Sequence, residues 1–99
     1  MTRHIILWTL KEMPEAEKVR VKAEIKAGLE GLAGQIPGLV SIRVETRRLP
    51  SSNADLMLDS SFESPAALAD YATHPAHVAV ADGKVRPYTA VRSCLDFEE

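Results

Sequence analysis

The 99-residue sequence predicts an α+β domain of the ferredoxin-like kind: β-α-β-β-α-β, with a four-stranded antiparallel sheet and helices on one face. Two observations carry the elements. Four short segments alternate apolar residues with a period of two, and two longer ones repeat them at helical spacing behind recognisable start signals. The third observation is their order, which is that of a split βαβ unit. At this length the chain forms one domain over residues 1–99.

The first strand, His4 to Leu10, places His4, Ile6, Trp8 and Leu10 on one face and Ile5, Leu7 and Thr9 on the other. Both faces are largely apolar, so both call for cover. Pro14 opens a helix with Glu15 and Glu17 in its first turn, where the helix dipole favours anions. Val21, Ile25, Leu29, Leu32 and Ile36 continue it as one apolar stripe. Gly28, Gly31 and Gly34 fall late in that stripe and imply a close backbone approach or an early end. Pro37-Gly38 turns the chain, and Val40, Ile42 and Val44 alternate with polar residues as a half-exposed strand. A Pro- and Ser-rich loop, Leu49 to Asn53, leads to a third strand in which Leu56, Leu58, Ser60 and Phe62 share a face. Ser64-Pro65 supplies a capping hydroxyl and a first-turn proline for a helix to about Ala72. Pro75 restarts a helix that Gly83 or Pro87 ends, and Tyr88 to Phe97 is the fourth strand. With the helices on one side, the apolar second face of the sheet is left bare. Such a face marks an interface, and a two-fold homodimer, sheet to sheet, is the simplest cover.

The charges narrow the partners. A net charge of −2 argues against nucleic acid, whose phosphates demand a cationic face. Arg47 and Arg48, an adjacent basic pair, read as a solvated loop. No segment approaches membrane-spanning length, and the apolar run Ile5–Leu10 is short for a signal peptide and has no small-residue cleavage site after it. Cys94 is the only cysteine, which excludes an internal disulfide and suits a reducing cytoplasm. It reads as an inert, buried thiol. Ser60 and Ser61 lack the glycine-flanked turn of a serine nucleophile.

Five patches resemble, in order and spacing, the stress-responsive A/B barrel (Dabb) family: Arg3–Lys11 (RHIILWTLK), Ile36–Leu39 (IPGL), Phe62–Ser64 (FES), Tyr71–Asp82 (YATHPAHVAVAD) and Cys94–Glu99 (CLDFEE). The tyrosine followed by His-Pro-x-His is the most specific of them. The resemblance spans nearly the whole chain and implies a dimeric α/β barrel of two ferredoxin-like halves. Most members of that family have no assigned reaction. A minority resemble plant polyketide cyclases, which close a linear poly-β-ketide by an aldol step without a cofactor. Their acid–base tyrosine and histidine fall on Tyr71 and His77, and a further histidine falls on His4. This chain departs from them at Ile25 and Leu29, where the cyclases have aromatic residues, and at Leu56, where they have another histidine.

The residues themselves allow a site in that region. His77 lies in the first turn of its helix, where the dipole disfavours a cation and keeps the imidazole neutral, as a general base requires. Tyr71 closes the preceding helix and could donate to a developing enolate oxygen. His4 shares its strand face with Ile6 and Trp8, and with Ile25, Leu29 and His74 these would line an apolar pocket. The bland alternative keeps His77 as a helix cap, and Tyr71 and Trp8 as core. His4, His74 and His77 number three, as in some zinc sites, but no acidic residue falls at an obvious ligand spacing, and no metal or cofactor is expected. Asp96 could orient a histidine. The leading expectation is a dimeric domain that binds a small, largely apolar molecule between sheet and helices. The rivals are cofactor-free acid–base chemistry on a carbonyl compound by Tyr71 and His77, and an assembly module without a ligand.

Overall fold

The computed structural model, which describes residues 1–99, runs β1 (Thr2–Leu10), α1 (Glu15–Glu30), β2 (Leu39–Glu45), β3 (Leu56–Phe62), α2 (Pro65–Thr73), α3 (Pro75–Val80), a π-type turn (Ala81–Val85) and β4 (Thr89–Glu98). The sheet order is β2-β3-β1-β4, with every neighbouring pair antiparallel. This is the expected ferredoxin-like arrangement.

β1 is central and obeys its period-two pattern: Thr2, His4, Ile6, Trp8 and Leu10 are buried beneath the helices, and Leu7 is exposed on the opposite face. β3 repeats it with Leu56, Leu58, Ser60 and Phe62. The helices close the core with Val21, Ile25 and Leu29 from α1, and with Tyr71 from α2. Burying those three aliphatics contributes about 1.5–3 kcal/mol each. That outweighs the roughly 1 kcal/mol that Gly28 costs a helix interior. A methyl group on Gly28 would lie 3.0 Å from Val80 Cγ1 and from Lys84 Cδ, so the close approach there is to the second helical layer.

Three element readings need correction. α1 ends at Glu30, and Leu32 and Ile36 reach the core from the turns that follow. The end is fixed by Glu30, whose Oε2 accepts from Val44 N at 2.9 Å and from Lys26 Nζ at 2.8 Å. Val40 is exposed because the β2–β3 register shifts between Leu39 and Ser41, a bulge that breaks the alternation. The second crossover is α2, α3 and the π-type turn in succession; Arg86 N bonds Ala81 O at 2.8 Å to close that wider turn. Arg47 is solvated, but Arg48 is held to Asp55 at 2.8 Å. No helix is long and apolar enough to cross a membrane.

Helices cover β1, β2 and β3, while β4 overhangs them, exposed from Ala90 to Glu99. The gap between the overhanging strand and the second helical layer holds the cavity described next.

Candidate functional site

The cavity measures about 890 Å³ and lies between the inner face of β1–β4 and the α2–α3 layer. Ile6, Trp8, Leu29, Leu58, Leu68 and Val85 give it apolar walls. Its polar groups come from Tyr71 and His77 on the helical side, and from His4 with Arg92, Cys94 and Asp96 on the sheet. Antiparallel pairing sets the second group in place: Trp8 faces Arg92, Ile6 faces Cys94, and His4 faces Asp96.

Local sequence explains each position. Ser64 accepts from Ala67 N at 3.1 Å and starts α2, which carries Tyr71 at its buried face. His74 ends α2 and caps α3, its Nδ1 accepting from Ala76 N at 3.1 Å. The cap turns the chain so that His77 comes under Tyr71. Their ring centroids lie 4.1 Å apart with the planes tilted by 34°. The two expected partners therefore meet face to face rather than through a hydrogen bond. His4 and Phe62 surround the Tyr71 ring on other sides, with centroids at 6.1 and 4.9 Å.

The Tyr71 hydroxyl is buried and has no hydrogen-bond partner, and burial pushes its pKa up to about 12. His77 is held below the ordinary histidine value, chiefly by burial, with Arg86, His4 and Arg92 adding repulsion. The Ala72 carbonyl opposes this by accepting from Nδ1 at 3.3 Å. Neutrality thus has a different cause from the helix N-terminus invoked above, since α3 has only six residues and desolvation leads. A proton on Nδ1 leaves Nε2 as the free acceptor, the form a base requires. His4 Nδ1 is hydrogen-bonded to the Asp96 carboxylate, and the Ser60 hydroxyl donates to the His4 carbonyl at 3.0 Å. Asp96 thereby fixes the His4 tautomer, and Ser60 is a structural tie.

Of the eight site residues expected from sequence, Tyr71, His77, His4, Ile6, Trp8 and Leu29 line the cavity. Two do not. Ile25 is wholly buried in the α1–sheet core, and His74 spends its ring on the α3 cap. Three imidazoles therefore do not converge. The groups that could hold a metal ion are His4, Cys94 and Asp96, whose donor atoms lie within 4.8 Å of one another. Cys94 is exposed, contrary to the expected buried thiol, with its pKa raised by partial desolvation and then by the Asp96 carboxylate. Cys94 and Arg92 escaped notice as site residues. Their signal was the run of polar residues at alternate positions of β4, Arg92, Cys94, Asp96 and Glu98, which an ordinary core-facing strand would not carry.

A ferredoxin-like sheet with a cavity under its helices and a bare outer face defines the class of α/β barrel halves. The chain belongs to the Stress responsive A/B Barrel Domain (Dabb) family, whose sequence model matches residues 2–99. Among solved structures it is similar to a dimeric protein of unknown function with a ferredoxin-like fold from Bacteroides fragilis, at 30% identity and TM-score 0.92, over 99% of this chain and 95% of that one. A Dabb family protein from Mesorhizobium loti matches at 20% identity and TM-score 0.76, over 99% and 95%. The hydroxynitrile lyase of Passiflora edulis shares the fold at 17% identity and TM-score 0.72, over 97% and 90%. No curated protein sequence matches the chain significantly.

Proposed function

We propose that the chain works as a homodimer in which each protomer binds a small, largely apolar or aromatic molecule in its sheet–helix cavity. The observation that carries this is the cavity itself: about 890 Å³, apolar-walled, with the unpartnered Tyr71 hydroxyl beside it. That volume is within the range that holds a compact organic ligand, and a buried donor without a partner costs free energy that a ligand carbonyl would recover. The solved relative from Bacteroides fragilis is described as dimeric, and the exposed Leu7, Val91 and Leu95 form the face to be covered. An exposed, unpaired Cys94 suits a reducing cytoplasm.

Trp8, the only tryptophan, lines the cavity and reports on it. Titration with a naphthol as the aromatic probe should quench Trp8 fluorescence saturably. Ala72→Phe, which fills the cavity from an exposed helical position, should abolish the quenching while leaving the circular dichroism unchanged. Absence of saturable quenching, or its persistence in Ala72→Phe, would overturn the proposal.

The Tyr71–His77 stack favours a second reading, acid–base chemistry on a carbonyl compound, with His77 Nε2 taking a proton and the Tyr71 hydroxyl donating to the enolate oxygen. No hydrogen bond joins the two residues, so the substrate would have to bridge them. The hydroxynitrile lyase among the solved structures of this fold supports an enzyme reading. Turnover of a β-keto ester panel should collapse in His77→Ala and fall by about 10²–10⁴-fold, the usual worth of one general base. Undiminished turnover in that variant sinks this reading.

A further inference from the structure

We propose that His4, Cys94 and Asp96 form a binding site for a divalent metal of the zinc type on the sheet wall of the cavity. The three side chains project from neighbouring strands onto one face, because Cys94 and Asp96 stand two apart on β4 and His4 lies opposite Asp96 on β1. They offer one nitrogen, one sulfur and one oxygen, a borderline donor set suited to zinc rather than to magnesium or calcium. Their spacing fits as well. Zinc bond lengths in tetrahedral geometry separate the donors by about 3.4–3.6 Å. Cys94 Sγ lies 3.5 Å from Asp96 Oδ1 and 3.9 Å from His4 Nδ1. Only the third edge must open, where the His4–Asp96 hydrogen bond gives way to the metal.

Proton accounting is simple. The thiol releases one proton to solvent, and the His4 proton moves from Nδ1 to Nε2, leaving Nδ1 free to ligate. His4 is buried and Ser60 ties its backbone carbonyl, so its strand position is fixed, while Cys94 and Asp96 are exposed and free to adjust. Of the two cations in the cavity lining, Arg86 is paired with Asp82, so the two anionic donors outweigh Arg92, and Glu98 adds a further negative charge at the rim. Three protein donors leave a fourth position that opens into the cavity, the pattern of zinc sites that also hold water or a small molecule.

The site does not depend on the organic ligand, because the two are read by different signals, the fluorescence of Trp8 and the absorption of the Cys94 thiolate. One equivalent of Co2+ added to chelator-treated protein should give visible bands of tetrahedral cobalt and a near-ultraviolet thiolate-to-cobalt band. One equivalent of Zn2+ should erase both, and bound Zn2+ should shield Cys94 from a thiol reagent. In Cys94→Ser, at an exposed strand position that folding tolerates, the near-ultraviolet band should vanish. Asp96→Asn should weaken Zn2+ binding by at least the 10–100-fold, roughly, that even outer partners of a metal site are worth. A wild-type cobalt spectrum without the thiolate band, or one that Cys94→Ser leaves unchanged, overturns the site.

Discussion

The hydroxyl of Tyr71 is the single polar atom whose state reports most directly on the cavity. Burial raises its pKa from 10.0 to about 12, so the folded protein resists forming tyrosinate. The unfolded chain ionises first as pH rises, and stability present below pH 10 is lost progressively up to about pH 12. Two pKa units correspond to about 2.7 kcal/mol. Tyr71→Phe should therefore flatten the alkaline end of the stability–pH curve. Because the hydroxyl has no partner, the same variant should keep its stability at pH 7 within about 1 kcal/mol, the net worth of an ordinary hydrogen bond. A large loss at neutral pH would mean that the hydroxyl is satisfied in the folded state. Tyr71 and His77 were legible in the sequence, since a tyrosine before His-Pro-x-His is conspicuous. The source of His77 neutrality was not, because desolvation depends on what packs over a ring. His74 was misplaced for a related reason: a histidine before a helix can face a cavity or cap its neighbour, and only backbone geometry decides.

At the scale of elements, the turn Ile36–Leu39 and the start of α2 lock together. Gly38 has φ +82°, and a methyl group there would come within 2.5 Å of Ala67 Cβ. Its carbonyl also accepts from Glu63 N at 2.9 Å. Strain and overlap act in the same direction, so Gly38→Ala should cost more than the roughly 1–2 kcal/mol of left-handed strain alone. Ser64→Ala, which removes only the N-cap acceptor, should cost about 1 kcal/mol. Chemical denaturation of both variants checks the ranking, and equal losses would mean that the turn does not bear on α2. The turn and the cap were plain in the sequence, because Pro-Gly and Ser-Pro state their geometry locally. The bulge at Val40 and the π-type turn at Ala81–Val85 were not. Each is a one-residue departure from a regular period, set by packing between elements, and periodicity averages over such departures.

At the scale of the whole molecule, the sheet has one face inside and one face out. The double apolar pattern of β1 made the outer face legible from sequence, since Ile5 and Leu7 have no helix to cover them. The cavity was less legible because it lies under β4, whose inner positions are polar and whose apolar residues point outward. Leu95 is opposite Ile5, exposed by 63%, and belongs to that outer face beside Leu7 and Val91. Around it stand charges already paired within the protomer: Arg3 with Asp59 and Glu99, and Arg43 with Asp59. An apolar centre inside a neutralised rim can meet its own copy without stranding a charge. A second copy would also add apolar burial to the modest core of a 10.8 kDa chain. Light scattering at micromolar concentration should therefore give roughly twice the monomer mass. Leu95→Glu would put a charge into the apolar outer face of each copy and should return the protein to monomers with a lower, concentration-independent Tm. Cys94 and Asp96 line the cavity on the opposite face, so cobalt binding should survive that substitution. A wild-type chain that runs as a monomer would refute the interface, and a Leu95→Glu dimer would place it elsewhere on the molecule.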